Sequence, residues 1–175
     1  MKKILGIAIL VTVMACNQAE KKAEKKSDTL VNESATVSSL KLKDEKLSEI
    51  FNAYIVLKNA LVKSDLELAK KSAGALHQTL VGFKGCESTA HLAKTIADDT
   101  SLANQRKDFT AVSTDLITLF KTAELSDGTI YVQHCPMANK GDGGDWLSAE
   151  KEIRNPYYGD EMLECGRVVE EITKK

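Results

Sequence analysis

Leu47-Ser48-Glu49-Ile50-Phe51-Asn52-Ala53-Tyr54-Ile55-Val56-Leu57-Lys58-Asn59-Ala60-Leu61 carries apolar side chains at three- and four-residue steps, and that interval decides the fold. Leu47, Ile50, Phe51, Tyr54, Leu57 and Leu61 share one stripe of a helix of about five turns, running from Asp44 to near Ser64. At its end, Ser64-Asp65-Leu66-Glu67 has the Ser-x-x-Glu spacing in which a hydroxyl and a carboxylate satisfy the first free amides of a new helix. A second helix is therefore expected to run to about Leu80. Its stripe, Leu66, Ala69, Ala73, Leu76 and Leu80, is small in the middle and admits a close neighbour. The short junction between two long helices makes them an antiparallel pair.

Gly82-Phe83-Lys84-Gly85-Cys86 interrupts the period, and Ser88 is placed to cap a shorter helix carrying Leu92 and Ile96. After the junction Asp98-Asp99-Thr100-Ser101, the stripe Leu102, Arg106, Phe109, Val112, Leu116, Leu119 or Phe120, and Ala123 forms a final long helix ending at Ser126-Asp127-Gly128. The expected fold class is mainly α. An antiparallel helical bundle, three long helices plus one short, fills 44–125, and a short, largely irregular Cys/Met-rich segment fills 126–175. Together they make a single domain, 44–175.

The chain has 175 residues, with 24 Lys+Arg against 25 Asp+Glu and 43% apolar side chains. That length supports one real core and leaves no room for two enzyme domains. The net charge of −1 denies the chain the basic surface by which nucleic-acid binders displace phosphate counterions, so no nucleic-acid partner is expected. At the other end, Lys2-Lys3 followed by Ile4-Leu5-Gly6-Ile7-Ala8-Ile9-Leu10-Val11 has the pattern of a secretory signal, too short for a permanent span. Val13-Met14-Ala15-Cys16 resembles the lipobox of bacterial lipoproteins. The resemblance implies a signal peptide over 1–15, cleavage before Cys16, lipidation of Cys16, and anchorage to a membrane of the bacterial cell envelope, periplasm-facing or outer. Loss of 1–15 leaves 22 basic against 25 acidic side chains, a net charge of −3. Residues 16–43, rich in Lys, Glu, Ser and Thr, read as the lipidated cysteine followed by a flexible tether.

The last fifty residues differ in kind. Thr129-Ile130-Tyr131-Val132-Gln133 is β-rich and leads into His134-Cys135-Pro136-Met137. A turn at Gly141-Asp142-Gly143-Gly144 and the single Trp146 follow, then Asn155-Pro156-Tyr157-Tyr158-Gly159 and Met162-Leu163-Glu164-Cys165-Gly166. A helical turn at Met162 and Cys165 would put both sulfurs on one face. Cys135, Met137, Met162 and Cys165, with His134 adjacent, form a soft donor set that suits Cu(I) or Ag(I) and not Mg²⁺ or Ca²⁺. Zinc ranks lower, because paired Cys-x-x-Cys spacings are missing.

A second reading stays open beside the metal: in an oxidising envelope Cys135 and Cys165 form a disulfide, which the chain-entropy model values at about 3 to 4 kcal/mol. Cys86 is then a leftover thiol. Trp146 belongs to the core on burial habits, with a role covering a bound cation as the alternative. His77 and His91 are helix residues outside this set. No enzyme is expected. Adjacent His134 and Cys135 make an awkward base and nucleophile, no redox Cys-x-x-Cys is present, and the glycine loop lacks a phosphate-loop ending.

Tyr131-Val132-Gln133-His134-Cys135-Pro136-Met137-Ala138, Trp146-Leu147-Ser148, Ile153-Arg154-Asn155-Pro156-Tyr157-Tyr158-Gly159 and Met162-Leu163-Glu164-Cys165-Gly166 together resemble the bacterial domain of unknown function 3347. Gln105-Arg106-Lys107-Asp108-Phe109 extends the resemblance into the helices. Relatives occur as small secreted or lipid-anchored proteins of Bacteroidota, and as a domain attached to periplasmic adaptors of copper/silver efflux systems. The resemblance implies heavy-metal handling, with Cys135, Met137, Met162 and Cys165 as metal ligands, His134 less firmly placed, and efflux adaptors as partners. It favours copper over the disulfide. The function expected is soft-metal binding for buffering or handover, and the rival is a non-catalytic interaction domain stapled by Cys135–Cys165.

Overall fold

The computed structural model describes residues 40–175, all within one compact unit. The signal segment 1–15, Cys16 and most of the tether lie outside the described residues. The tether's last residues do not: Lys41–Leu42 form strand β1, which pairs antiparallel with β2, Leu125–Asp127. The Lys43 amide also donates to the Glu124 carbonyl (3.0 Å), so the ordered domain begins before Asp44.

Four helices follow: α1 (Glu45–Val62), α2 (Leu66–Val81), α3 (Glu87–Asp98) and α4 (Leu102–Lys121). Every α1 stripe residue expected from the period is buried. Asp44 caps α1 by accepting from the Lys46 and Leu47 amides at 2.8 and 3.2 Å.

Two expected caps are corrected. Asp65, and not Ser64, caps α2 through the Leu68 amide (2.9 Å). Ser64 stands at φ 53°, and its hydroxyl accepts from Arg106 instead. Helix α3 begins one residue before Ser88, with Cys86 at its cap position and no side-chain cap bond. Consecutive helices pack on one another, α1 on α2, α2 on α3 and α3 on α4.

The segment after Gly128 is not largely irregular. Strands β3 (Thr129–Cys135), β4 (Gly144–Ser148) and β5 (Arg167–Thr173) form an antiparallel sheet in the order β4-β3-β5. Val168, Val169, Ile172 and Thr173 supply a β-branched run that marks a strand.

The sheet lies against α4 and contributes Ile130, Val132, Cys135, Trp146, Leu147 and Ile172 to the helices' own core. Tyr54 binds the layers. Its ring stacks on Phe109 of α4 with centroids 5.3 Å apart, and its hydroxyl meets Ser113 Oγ at 2.7 Å and accepts the Leu147 amide at 3.1 Å. Burial pushes its phenol far above the ordinary value, so it remains a donor throughout. Among the described residues the fold is thus mainly α, four helices with two small antiparallel sheets.

Candidate dithiol site

Strand β3 is irregular between Val132 and Gln133, where the register with β5 shifts. The shift lets Val132 and Gln133 both be buried, and it brings Cys135, at the strand's end, onto the core side with 0% exposure. Its neighbour His134 is turned to the other face, as alternation along a strand requires. There His134 Nδ1 lies 2.7 Å from Asp145 Oδ1, on the residue directly opposite in β4. His134 is therefore not gathered with the thiols as expected.

Cys165 approaches from the loop before β5. Its Sγ lies 3.1 Å from Cys135 Sγ, and both are free thiols. Three backbone devices hold it there. The Cys165 amide donates to the Met162 carbonyl (3.0 Å), closing a single turn where a helical turn was anticipated. Asn155 Nδ2 donates to the Cys165 carbonyl (2.8 Å). Gly166, at φ 148°, presses its backbone where a Cβ would stand 2.9 Å from both the His134 carbonyl and Trp146 Cη2. Trp146 is fully buried, as core, with its ring edge beside this loop.

Asn155 organises the loop. While its amide nitrogen holds Cys165, its Oδ1 accepts from the Tyr157 and Tyr158 amides (2.8 and 3.3 Å). Tyr157 donates to the Asp145 carbonyl (2.7 Å), and Arg106 Nε donates to the Pro156 carbonyl (3.0 Å). Arg106 Nη2 reaches Ser64 Oγ (2.8 Å) and the Leu61 carbonyl (3.2 Å), tying the loop to the α1–α2 junction. Desolvation lowers the guanidinium's pKa, with Glu161 opposing the fall. Asn155 and Gly166 were missed as site residues. The signals for them were an Asn before a proline and a Gly after a cysteine, both marks of fixed turns.

The methionines stand nearby along the chain. Met137 is 50% exposed, with its carbonyl accepting from the Tyr158 hydroxyl at 2.6 Å. Met162 is half-buried in the turn that carries Cys165. His77 and His91 remain elsewhere: His77 Nδ1 pairs with the Ala90 carbonyl (2.9 Å), bridging α2 and α3, and His91 is exposed. Cys86 is buried apart from the pair, where burial first, then Glu87 and Asp115, push its thiol up. The hydrogen bond with Cys135, then burial, raise the Cys165 thiol as well.

Among the described residues, no group of three or more His, Cys, Asp or Glu is placed to hold a metal ion, and no helix is long and apolar enough to cross a membrane. What converges is two sulfurs. Two thiols at this distance can share a soft ion or join to each other.

No curated protein and no solved structure matches the chain. A family model does match, over residues 50–128, which run from α1 to the turn after β2 and include Gln105-Arg106-Lys107-Asp108-Phe109. In that stretch Gln105 Nε2 donates to the Ile96 carbonyl (3.2 Å), Arg106 ties the junction and Phe109 stacks on Tyr54. The match ends before Cys135, and the family whose model this helical segment matches is described as "Protein of unknown function (DUF3347)".

Proposed function

We propose that this chain is a lipid-anchored protein of the bacterial envelope that binds a soft metal ion, Cu(I) foremost, through Cys135 and Cys165. The observation that carries the reading is the 3.1 Å approach of two sulfurs, one delivered by the end of β3 and the other by the loop before β5. Cu(I) and Ag(I) accept two-coordinate thiolate ligation, so a pair of cysteines is a sufficient core. Met137 and Met162, two and three residues from the pair, supply thioethers that bind the same ions and exchange readily. The helices act as the antiparallel bundle, three long and one short, on which this site is mounted. Buffering and handover to efflux adaptors are the roles that fit a lipid-tethered site.

Binding displaces the thiol protons, and the raised Cys165 thiol makes that displacement harder as pH falls. The test is Cu(I) competition against a chromogenic chelator under nitrogen, using the full chain with Cys16→Ser in mild detergent. One ion per chain is expected, with affinity that rises with pH. Replacing Cys135 and Cys165 together by serine is expected to weaken binding at least about a hundredfold, with helical circular dichroism retained. Unchanged affinity in that double variant would overturn the assignment.

A further inference from the structure

Cys135 and Cys165 differ in access as much as they agree in position. Cys135 is at 0% exposure in the core, and Cys165 is partly open to solvent. Their sulfurs are 3.1 Å apart, while the Cys165 backbone is fixed at its amide by Met162 and at its carbonyl by Asn155. An accessible sulfur and a buried one, on a backbone that already brings them together, are the two parts that disulfide exchange requires.

We propose that this pair is also a thiol–disulfide exchange centre, in which Cys165 accepts the first sulfur from a disulfide donor and Cys135 resolves it. Cys165 loses its proton to solvent, and its thiolate attacks one sulfur of a donor R–S–S–R. The donor S–S bond breaks, a Cys165–S–S–R bond forms, and RS⁻ leaves and takes up a proton. Cys135 then loses its proton and attacks Cys165 Sγ, the nearer sulfur. The Cys135–Cys165 bond forms and a second RS⁻ leaves. Two protein thiols are oxidised and one donor disulfide is reduced to two thiols. Closure uses both sulfurs that a soft ion would need, so in its regulatory consequence the inference rests on the Cu(I) reading: oxidation excludes the ion.

The experiment treats the reduced, metal-free full chain carrying Cys16→Ser with glutathione disulfide, quenches with acid, and follows mass and free thiols. Two of the three thiols should disappear with a mass loss of two hydrogens and no retained glutathione, leaving Cys86, which is buried and apart from the pair, as the free thiol. Cys135→Ser, and Cys135→Ala as the better-packed control, should stop at a single glutathionyl adduct on Cys165. Cys165→Ser should react about tenfold more slowly or less, because its remaining sulfur at the site is buried. A chain that keeps three thiols, or an adduct on Cys135 in place of Cys165, would overturn the proposal. Chelator competition on the same samples separates the two readings. Closure without Cu(I) binding to the reduced chain removes the metal function and leaves the exchange centre standing. Cu(I) binding without closure removes the exchange centre alone.

Discussion

Helix α1 satisfies most of its backbone from within and needs one neighbouring side chain, Asp44, to finish its first turn. The sheet that carries Cys135 is held instead by side chains reaching over long stretches of chain. Gln133 Nε2 donates to the carbonyls of Glu150, Lys151 and Glu152 (2.9, 3.2 and 3.1 Å), and Asn155 grips Cys165. Tyr54, Tyr157 and Tyr158 each place a hydroxyl on the backbone of a distant residue. A helix whose bonds are local can be built from its period alone, while a sheet clamped by a few buried amides depends on each of them. The family match covers the helices and stops before the sheet, so Cys135 and Cys165 stand outside the matched stretch.

The sharpest way to break this contrast is to remove one clamp. Asn155→Ala deletes the donor to Cys165 and the acceptor for Tyr157 and Tyr158, leaving buried backbone groups unpaired, and should cost about 3 to 4 kcal/mol in urea unfolding. Its distinctive result is local. Cys165 loses its tether, so closure with Cys135 by glutathione disulfide should slow in molecules that are still folded. A loss of stability with closure unchanged would show that Asn155 supports the sheet without positioning the sulfur.

A somewhat smaller effect is expected where the two regions touch. Gly159 has φ 57°, and a Cβ there would stand 2.8 Å from the Val62 carbonyl and press on the Ser64 hydroxyl and Arg106. Gly159→Ala should therefore push the loop off the α1–α2 junction and cost about 2 to 3 kcal/mol. If the midpoint in urea is unchanged, the contact between loop and junction is looser than these distances say.

These two residues also show what could be read from the chain and what could not. The helix stripes were legible because burial repeats every three or four residues, and all six stripe residues from Leu47 to Leu61 are buried. The soft residues Cys135 and Cys165 were legible as a set, but their meeting was not, because it depends on a register shift in β3, a glycine at φ 148° and an asparagine ten residues from the cysteine it holds. His134 stands apart from the two thiols for a plain reason. Adjacent residues on a strand point oppositely, and Asp145 takes its Nδ1. The Ser64 cap failed because a better acceptor, Asp65, stood one residue later, while Arg106 claimed the serine.

Even the helical region holds one residue that works against its packing. Lys58 faces inward on α1 at 4% exposure, and burial pushes its ammonium down to about 8, with Glu150 opposing the fall and Arg154 adding to it. Between that value and the ordinary 10.5, the folded chain binds fewer protons than the unfolded one, so stability rises with pH across that window. Below pH 8 the penalty is fully present. Lys58→Met keeps the alkyl packing without the charge, and should stabilise the protein by about 2 kcal/mol at neutral pH. That gain should shrink as pH approaches about 9.5. A gain independent of pH would mean that packing, and not charge burial, set the difference.

The smallest effect tests the helix rule at its simplest point. Asp65 contributes one bond, to the Leu68 amide, and both partners are near the surface. Asp65→Ala should cost about 1 kcal/mol, the ordinary value of a lost N-cap, and should leave thiol closure unchanged because its carboxylate bonds to the Leu68 amide and not to Arg106 or the Asn155 loop. Its neighbour separates local from long-range support. Ser64→Ala removes no cap, yet it takes away the hydroxyl that Arg106 holds while Arg106 also grips Pro156. If the two regions are built as described, Asp65→Ala lowers stability alone, and Ser64→Ala also alters the rate at which Cys135 and Cys165 join. Equal closure rates in both variants would place the Arg106 bridge outside the path that positions the thiols.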